Sequence, residues 1–253
     1  MLPGPAGHAE PGVVRHIDDP AGADTGANGG LGAQFVLQAL ERGAAKVYAA
    51  ARMPKNWTDA RIHSLQLDIA KADSVSRAVA TASDVDLLIN NAAIAPADDS
   101  ILGPEDEAQN VFETNFFGTL RVANAFAPVL AANGGGTMLN IVSSAAWIPM
   151  PTAYAASKAA VWSMTNGLRM ELEDKGTKVI GLYVGMIDTP MAVQYNVPKI
   201  SAASVVAQAY DGVEAGALEV LADDLTRDLK SRMGMVAEEY YPQVHEQLRA
   251  FFA

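Results

Sequence analysis

Cysteine does not occur in the chain. Disulfides, thiolate metal sites and a cysteine nucleophile are thereby excluded. Basic residues are also few: 18 Lys and Arg stand against 29 Asp and Glu, a net charge of −11. No basic stripe is present to follow a phosphate backbone, so nucleic acid is not an expected partner. An acidic chain gains nothing at an anionic membrane surface, and no apolar run approaches the ~18 residues of a membrane-spanning helix. The four histidines, His8, His16, His63 and His245, are scattered, and without ligand spacing they point to no metal site. The first stretch, MLPGPAGHAEPG, lacks the basic region and apolar core of a signal peptide. Residues 1–18 are therefore expected to be a flexible leader and residues 19–253 the folded domain. A reducing, cytoplasmic setting is compatible with the missing cysteine.

What is present is apolar. Half of the 253 residues are hydrophobic, enough for one sizeable core. Short apolar runs at 45–51, 63–69, 85–92, 137–144 and 178–185 read as strands, with a last short one within 216–224. They are apolar on both faces, as strands covered by helices on both sides must be. Helical patterns lie between them at 30–42, 74–82, 105–131, 152–174 and 201–213. This alternation predicts an α/β fold: one single-domain, doubly wound parallel sheet of the Rossmann type.

Two stretches carry chemistry. In TGANGGLG (25–32), Gly26 permits a tight turn, Gly30 lets backbone approach a pyrophosphate, and Gly32 lets the next helix pack closely. That helix points its first N–H groups at the anion. The segment feeding the loop is anomalous. Asp19-Pro20-Ala21-Gly22-Ala23-Asp24 stands where a buried strand belongs, with a missing ladder donor, a weakening glycine and two acids. The second stretch is Tyr154-Ala155-Ala156-Ser157-Lys158. Four-residue spacing puts the phenol and the ammonium on one helix face, where the positive charge favours the phenolate.

With TGANGGLG, LD (67–68), NNAA (90–93), TNFFGT (114–119), NIVSS (140–144), YAASK (154–158) and VGMIDTPM (184–191) in this order, the chain resembles the short-chain dehydrogenase/reductase family. The resemblance implies an NAD(P)-dependent oxidoreductase moving a hydride between the nicotinamide and a small carbonyl or alcohol. It assigns the general acid–base to Tyr154, the lowering of its pKa to Lys158, and the polarising of the substrate oxygen to Ser143. Ser144 stands as the competing choice for that last role. Asn115 matches the residue that kinks its helix and holds a water in the proton relay. Toward the cofactor the resemblance assigns Gly26, Asn28, Gly30, Leu31, Gly32, Asp68, Ile69, Asn90, Ala92, Ile187 and Thr189, together with Tyr154 and Lys158. Val184-Gly185 replaces the family's usual Pro-Gly, and Ser143 to Tyr154 is a shorter connection than the family leads one to expect.

NADP is favoured over NAD. An NAD enzyme wants an acid at the end of the strand 45–51 to receive the ribose 2′-hydroxyl. Ala51 stands there, followed by Arg52, which pairs with a 2′-phosphate unless it is an ordinary surface residue. A nucleotide-binding regulatory or inactive homologue is the alternative, on the strength of residues 19–24. Trp147, Met150, Met186, Met191 and Tyr195 are expected either to wall an apolar substrate site or to pack the core. The acidic residues around 98–107 read as a solvated loop. Long apolar helices at 105–131 and 152–174 predict a homodimer or homotetramer.

Overall fold

The computed structural model describes residues 27–96 and 98–252. The leader expected at 1–18, the anomalous segment 19–24 and Gly26 lie outside the described residues. Helix α1 (Gly30–Glu41) opens the described fold, followed by β1 (Val47–Ala51), β2 (Ile62–Gln66), α2 (Ala72–Thr81) and β3 (Leu87–Asn90). Helix α3 (Glu105–Phe112) runs through a π-helical turn, Glu113–Gly118, into α4 (Thr119–Ala132). Then come β4 (Gly136–Ile141), α5 (Ala153–Leu172), β5 (Thr177–Tyr183), and the two-residue strands β6 (Ile187–Asp188) and β7 (Ile200–Ser201). Helix α6 (Ala202–Ala215), β8 (Glu219–Leu221), α7 (Asp224–Ser231) and α8 (Ala237–Phe252) complete the order.

All pairings are parallel: β3-β4-β5-β8 form one sheet, β1-β2 another, and β6-β7 a small third. The first two share both apolar layers, because alternate strand residues point to opposite faces. Val47 and Ala49 join Leu87, Ile89, Leu139 and Ile180 under α1 and α6. Tyr48 and Ala50 join Leu88, Met138 and Val179 under α2, α4 and α5. This is the expected doubly wound α/β arrangement. Among the described residues no strand pairs β1 to β3.

Tight turns between helices and strands depend on glycine. Gly136 has φ +92°, and a Cβ there would lie 2.2 Å from the Asp86 carbonyl oxygen; at Gly135 it would lie 2.3 Å from that of Gly176. Both are left-handed positions that only glycine adopts without strain. The C-terminal helices α7 and α8 were not foreseen. They dock through Leu229, Tyr240 and Val244 against Ile148, Leu225 and Leu248. Among the described residues no helix is long and apolar enough to cross a membrane.

Candidate active site

Residues that follow the parallel strands β3, β4 and β5 line one cavity. Beyond β4, Ser143 is buried; its Oγ accepts from the Ala145 N–H at 3.1 Å and donates to the Val184 carbonyl at 3.4 Å. Tyr154 is the second residue of α5, and Lys158 lies one turn further on. The Lys158 Nζ donates to the Ile141 carbonyl at 2.9 Å and lies 5.7 Å from the centre of the Tyr154 ring. Ser143, Ser144, Tyr154 and Lys158 line the same cavity. Of the two serines, Ser143 is the one whose hydroxyl acts on the titration of the phenol, favouring its ionised form.

Asn115 sits in the π-helical turn, fully buried. Such turns occur at functional sites because one extra residue re-aims the backbone. The Asn115 Oδ1 accepts from the Ile94 N–H at 2.8 Å, while Nδ2 donates to the Ile94 carbonyl and to Ser157 Oγ, both at 3.0 Å. Both amide hydrogens are thus committed to protein partners. Asn115 thus joins the loop after β3 to α5. Asn90 likewise turns inward: its Nδ2 donates to Asn140 Oδ1 at 2.8 Å, and Asn140 Nδ2 donates to Thr165 Oγ1 at 3.0 Å.

The titration of the pair departs from expectation. Burial in the cavity pushes the Tyr154 phenol above its ordinary 10; the Ser143 hydroxyl opposes that rise, and Tyr195 adds to it. Burial brings Lys158 itself down to about 8. The protein alone therefore holds a neutral phenol beside a lysine that titrates near neutrality.

The nucleotide side is built from three segments. Helix α1 starts after Gly29 with no side-chain cap and no acid in its first turn, so its positive end is open to an anion. Gly30 has φ +54° and faces Thr189, whose Cγ2 lies 3.5 Å from the place a Cβ would take. Leu31, Ile187 and Thr189 line the cavity with Tyr154, while Gly32 and Ala92 are buried. These features fit a dinucleotide, with its pyrophosphate at α1 and its nicotinamide end toward Tyr154. Asn28 ties the loop to the end of β1: its Nδ2 donates to the Met53 carbonyl at 2.7 Å, and its Oδ1 accepts from the Lys55 N–H at 2.9 Å. Arg52 is exposed at that edge. Asp68 Oδ1 accepts from the Ala70 N–H at 3.0 Å, and Ile69 is buried against Gly118, where a Cβ would lie 2.7 Å from Ile69 Cδ1.

The family model for short chain dehydrogenase matches residues 24–199. The chain belongs to the short-chain dehydrogenase family. A crystal structure of a short chain dehydrogenase from Burkholderia cenocepacia, in complex with NADP, is 33% identical and has a TM-score of 0.83. The likeness covers 92% of this chain and 97% of that one. An uncharacterized oxidoreductase of Staphylococcus haemolyticus is 32% identical over 66% of this chain and 78% of its own. A short-chain dehydrogenase of Penicillium ochrochloron is 30% identical over 81% of this chain and 82% of its own. This short-chain dehydrogenase is accordingly an NAD(P)-dependent oxidoreductase.

The wall of the cavity is largely apolar. Met150, Met186, Met191 and Tyr195 line the cavity as one sequence reading held, and Ile148, Leu225, Leu248 and Phe251 join them. The last three come from α7 and α8 and were missed by sequence reasoning. A stripe of apolar residues at Tyr240, Val244, Leu248 and Phe251 carried the signal. Trp147 takes the other reading. It stacks on Tyr183 with ring centres 4.6 Å apart, and its carbonyl accepts from the Tyr240 hydroxyl at 2.9 Å. It is a packing residue that fixes the loop to α8. Lys55 was also missed; its Nζ donates to the Asn28 carbonyl at 2.9 Å and lies 3.9 Å from the Trp57 ring centre.

Proposed function

We propose that this short-chain dehydrogenase interconverts an uncharged, apolar carbonyl compound and its alcohol with NADP(H). The observation that carries the reading is the convergence of Ser143, Tyr154 and Lys158 in one cavity whose other walls are largely apolar. The bound nicotinamide cofactor supplies the hydride chemistry. Ser143 donates a hydrogen bond to the carbonyl oxygen, and Tyr154, neutral by burial, gives that oxygen its proton. Lys158 supplies positive charge beside the phenol, with its Nζ 5.7 Å from the ring centre. Asn115 keeps α5 in register with the end of β3, and Ile187 and Thr189 close the nicotinamide end. For the dinucleotide, Gly30, Leu31 and Gly32 present backbone at α1, while Asp68 and Ile69 stand at the adenine end.

Cofactor choice follows from charge. Arg52, with Lys55 beside the glycine-rich loop, favours a 2′-phosphate, and no acid stands at Ala51 to receive a 2′-hydroxyl. The NADP complex of the Burkholderia relative supports the same choice. Among the described residues Lys158 is the one charged side chain that lines the cavity. A substrate carboxylate would lie there largely uncompensated by a second cation, at a cost of several kcal/mol.

Assays of NADPH oxidation against paired substrates test this. Apolar aldehydes and ketones should exceed 2-keto acids of equal size in kcat/KM by at least about tenfold. A preference for the keto acids would overturn the substrate reading. We also propose a homodimer or homotetramer. Phe117 and Met170, on the α3–α4 and α5 helices, are exposed, and light scattering at micromolar concentration should show a species larger than 26.6 kDa.

A further inference from the structure

Tyr154 occupies the part of a helix where backbone is least restrained. The first amides of a helix have no partners within it, and its ends fray. In α5 each of these amides is accounted for. The Ala155 N–H donates to Thr152 Oγ1 at 3.1 Å, and the Ala156 N–H to the Thr152 carbonyl at 3.2 Å. The two remaining amides go to a distant acid. The Ala153 N–H donates to Asp99 Oδ1 at 2.9 Å and the Tyr154 N–H to Asp99 Oδ2 at 2.7 Å. Asp99 belongs to the loop after β3, and the Ile101 N–H of that loop donates to the Pro151 carbonyl at 2.8 Å.

The other side of the same peptide is also held. The Tyr154 carbonyl accepts from Ser157 Oγ at 2.7 Å, and that oxygen accepts from Asn115 Nδ2 at 3.0 Å. Tyr154 is therefore gripped at its N–H by one segment and at its carbonyl, through Ser157, by another. An anionic acceptor at the positive end of a helix makes the stronger, charge-assisted form of these bonds.

We propose that Asp99 is a positioning residue for the reaction: it fixes the first turn of α5 and so sets where the Tyr154 hydroxyl meets the substrate oxygen. The inference rests on the assignment of Tyr154 as proton donor. Proton transfer is sensitive to such placement, and a shift of about 1 Å costs about a hundredfold. The acidic stretch 98–107 thus does not consist only of solvated charge, as its composition suggests. One member of it reaches the catalytic helix.

The experiment compares wild type with Asp99→Ala and Asp99→Asn, the latter keeping one neutral acceptor. Three quantities are read: kcat with an apolar ketone, NADPH affinity by fluorescence, and hydrogen exchange of the amides at 152–158. Asp99→Ala should lower kcat about ten- to hundredfold, leave NADPH affinity unchanged and speed exchange in the first turn of α5 alone. Asp99→Asn should fall between the two in kcat. An unchanged kcat with faster exchange would make Asp99 a cap without bearing on catalysis and overturn the proposal. Unchanged exchange, or a parallel loss of kcat, cofactor affinity and protection throughout the chain in both variants, would do the same. A wild type that reduces no carbonyl overturns the assignment of Tyr154 itself, and exchange, which needs no turnover, tells that failure apart.

Discussion

The half of the molecule around β3, β4, β5 and β8 differs in its supports from the half around α1, β1 and β2. In the first, four strands pair in continuous register, and a buried chain from Asn90 through Asn140 to Thr165 joins β3, β4 and α5. The backbone of Tyr154 is held on both sides. Among the described residues of the second, two strands pair with each other, β2 is mostly exposed, and the glycine-rich loop is tied to the chain beyond β1 through Asn28. The segment that feeds that loop has the composition of a turn, DPAGAD. From that composition we expect a weaker support for the cofactor loop than the hydrogen bonds that hold the catalytic groups. Ordering a residue costs ~1–2 kcal/mol in backbone entropy, and each ~1.4 kcal/mol weakens binding tenfold.

If the contrast is right, damage to the catalytic half should cost rate and leave binding alone. Replacing Tyr154 with Phe removes the proton donor and should lower kcat by about 10²–10⁴-fold. NADPH affinity, followed by the same fluorescence titration, should stay at the wild-type value. Loss of both would mean that the two halves are not separable in this way. The interior chain gives the next largest effect. Asn140→Ala strands the Asn90 amide in the core and should lower stability by ~1–3 kcal/mol, read as a lower urea midpoint at unchanged slope.

Damage to the other half should show in cofactor choice. Arg52→Ala should weaken NADPH by about tenfold through loss of a charge-assisted hydrogen bond, with NADH affinity unchanged. Equal selectivity before and after would remove Arg52 from the account and shift the role to Lys55.

The smallest effect is in pH. Lys158 titrates at about 8 in the folded protein against an ordinary 10.5. Since kcat/KM reports groups of the free enzyme, carbonyl reduction should hold level below about 8 and decline above it as the ammonium loses its proton. For stability the sign is opposite. The unfolded chain binds the extra proton between about 8 and 10.5, so this group favours folding more as pH rises through that window. A kcat/KM profile level to pH 10 would contradict the assignment.

Much of the fold was legible because strands and helices differ in apolar period. The runs at 45–51, 85–92, 137–144 and 178–185 became β1, β3, β4 and β5, and the glycines after the helices stand at turns. The C-terminal pair α7 and α8 was not. Helix α7 is mostly polar, and Pro242 lies inside α8, where it reads as a break. With them went Leu225, Leu248 and Phe251, and so a wall of the substrate site. Ser143, Tyr154 and Lys158 were legible from spacing and family order. The direction of the Tyr154 shift was not, because it depends above all on burial, which spacing does not reveal. Asp99 could not be found from local spacing, since its partners lie 54 and 55 residues away.

The most direct test of the contrast is an NADPH titration of the wild type and of a variant with Pro20, Gly22 and Asp24 replaced by Val. The substitutions give the feeding segment the composition of a buried strand and replace none of Ser143, Tyr154 and Lys158. The account predicts at least about tenfold tighter NADPH binding in the variant, with kcat at saturating cofactor unchanged. Equal affinity in the two proteins would contradict it, and would mean that the glycine-rich loop is as well supported as the catalytic helix.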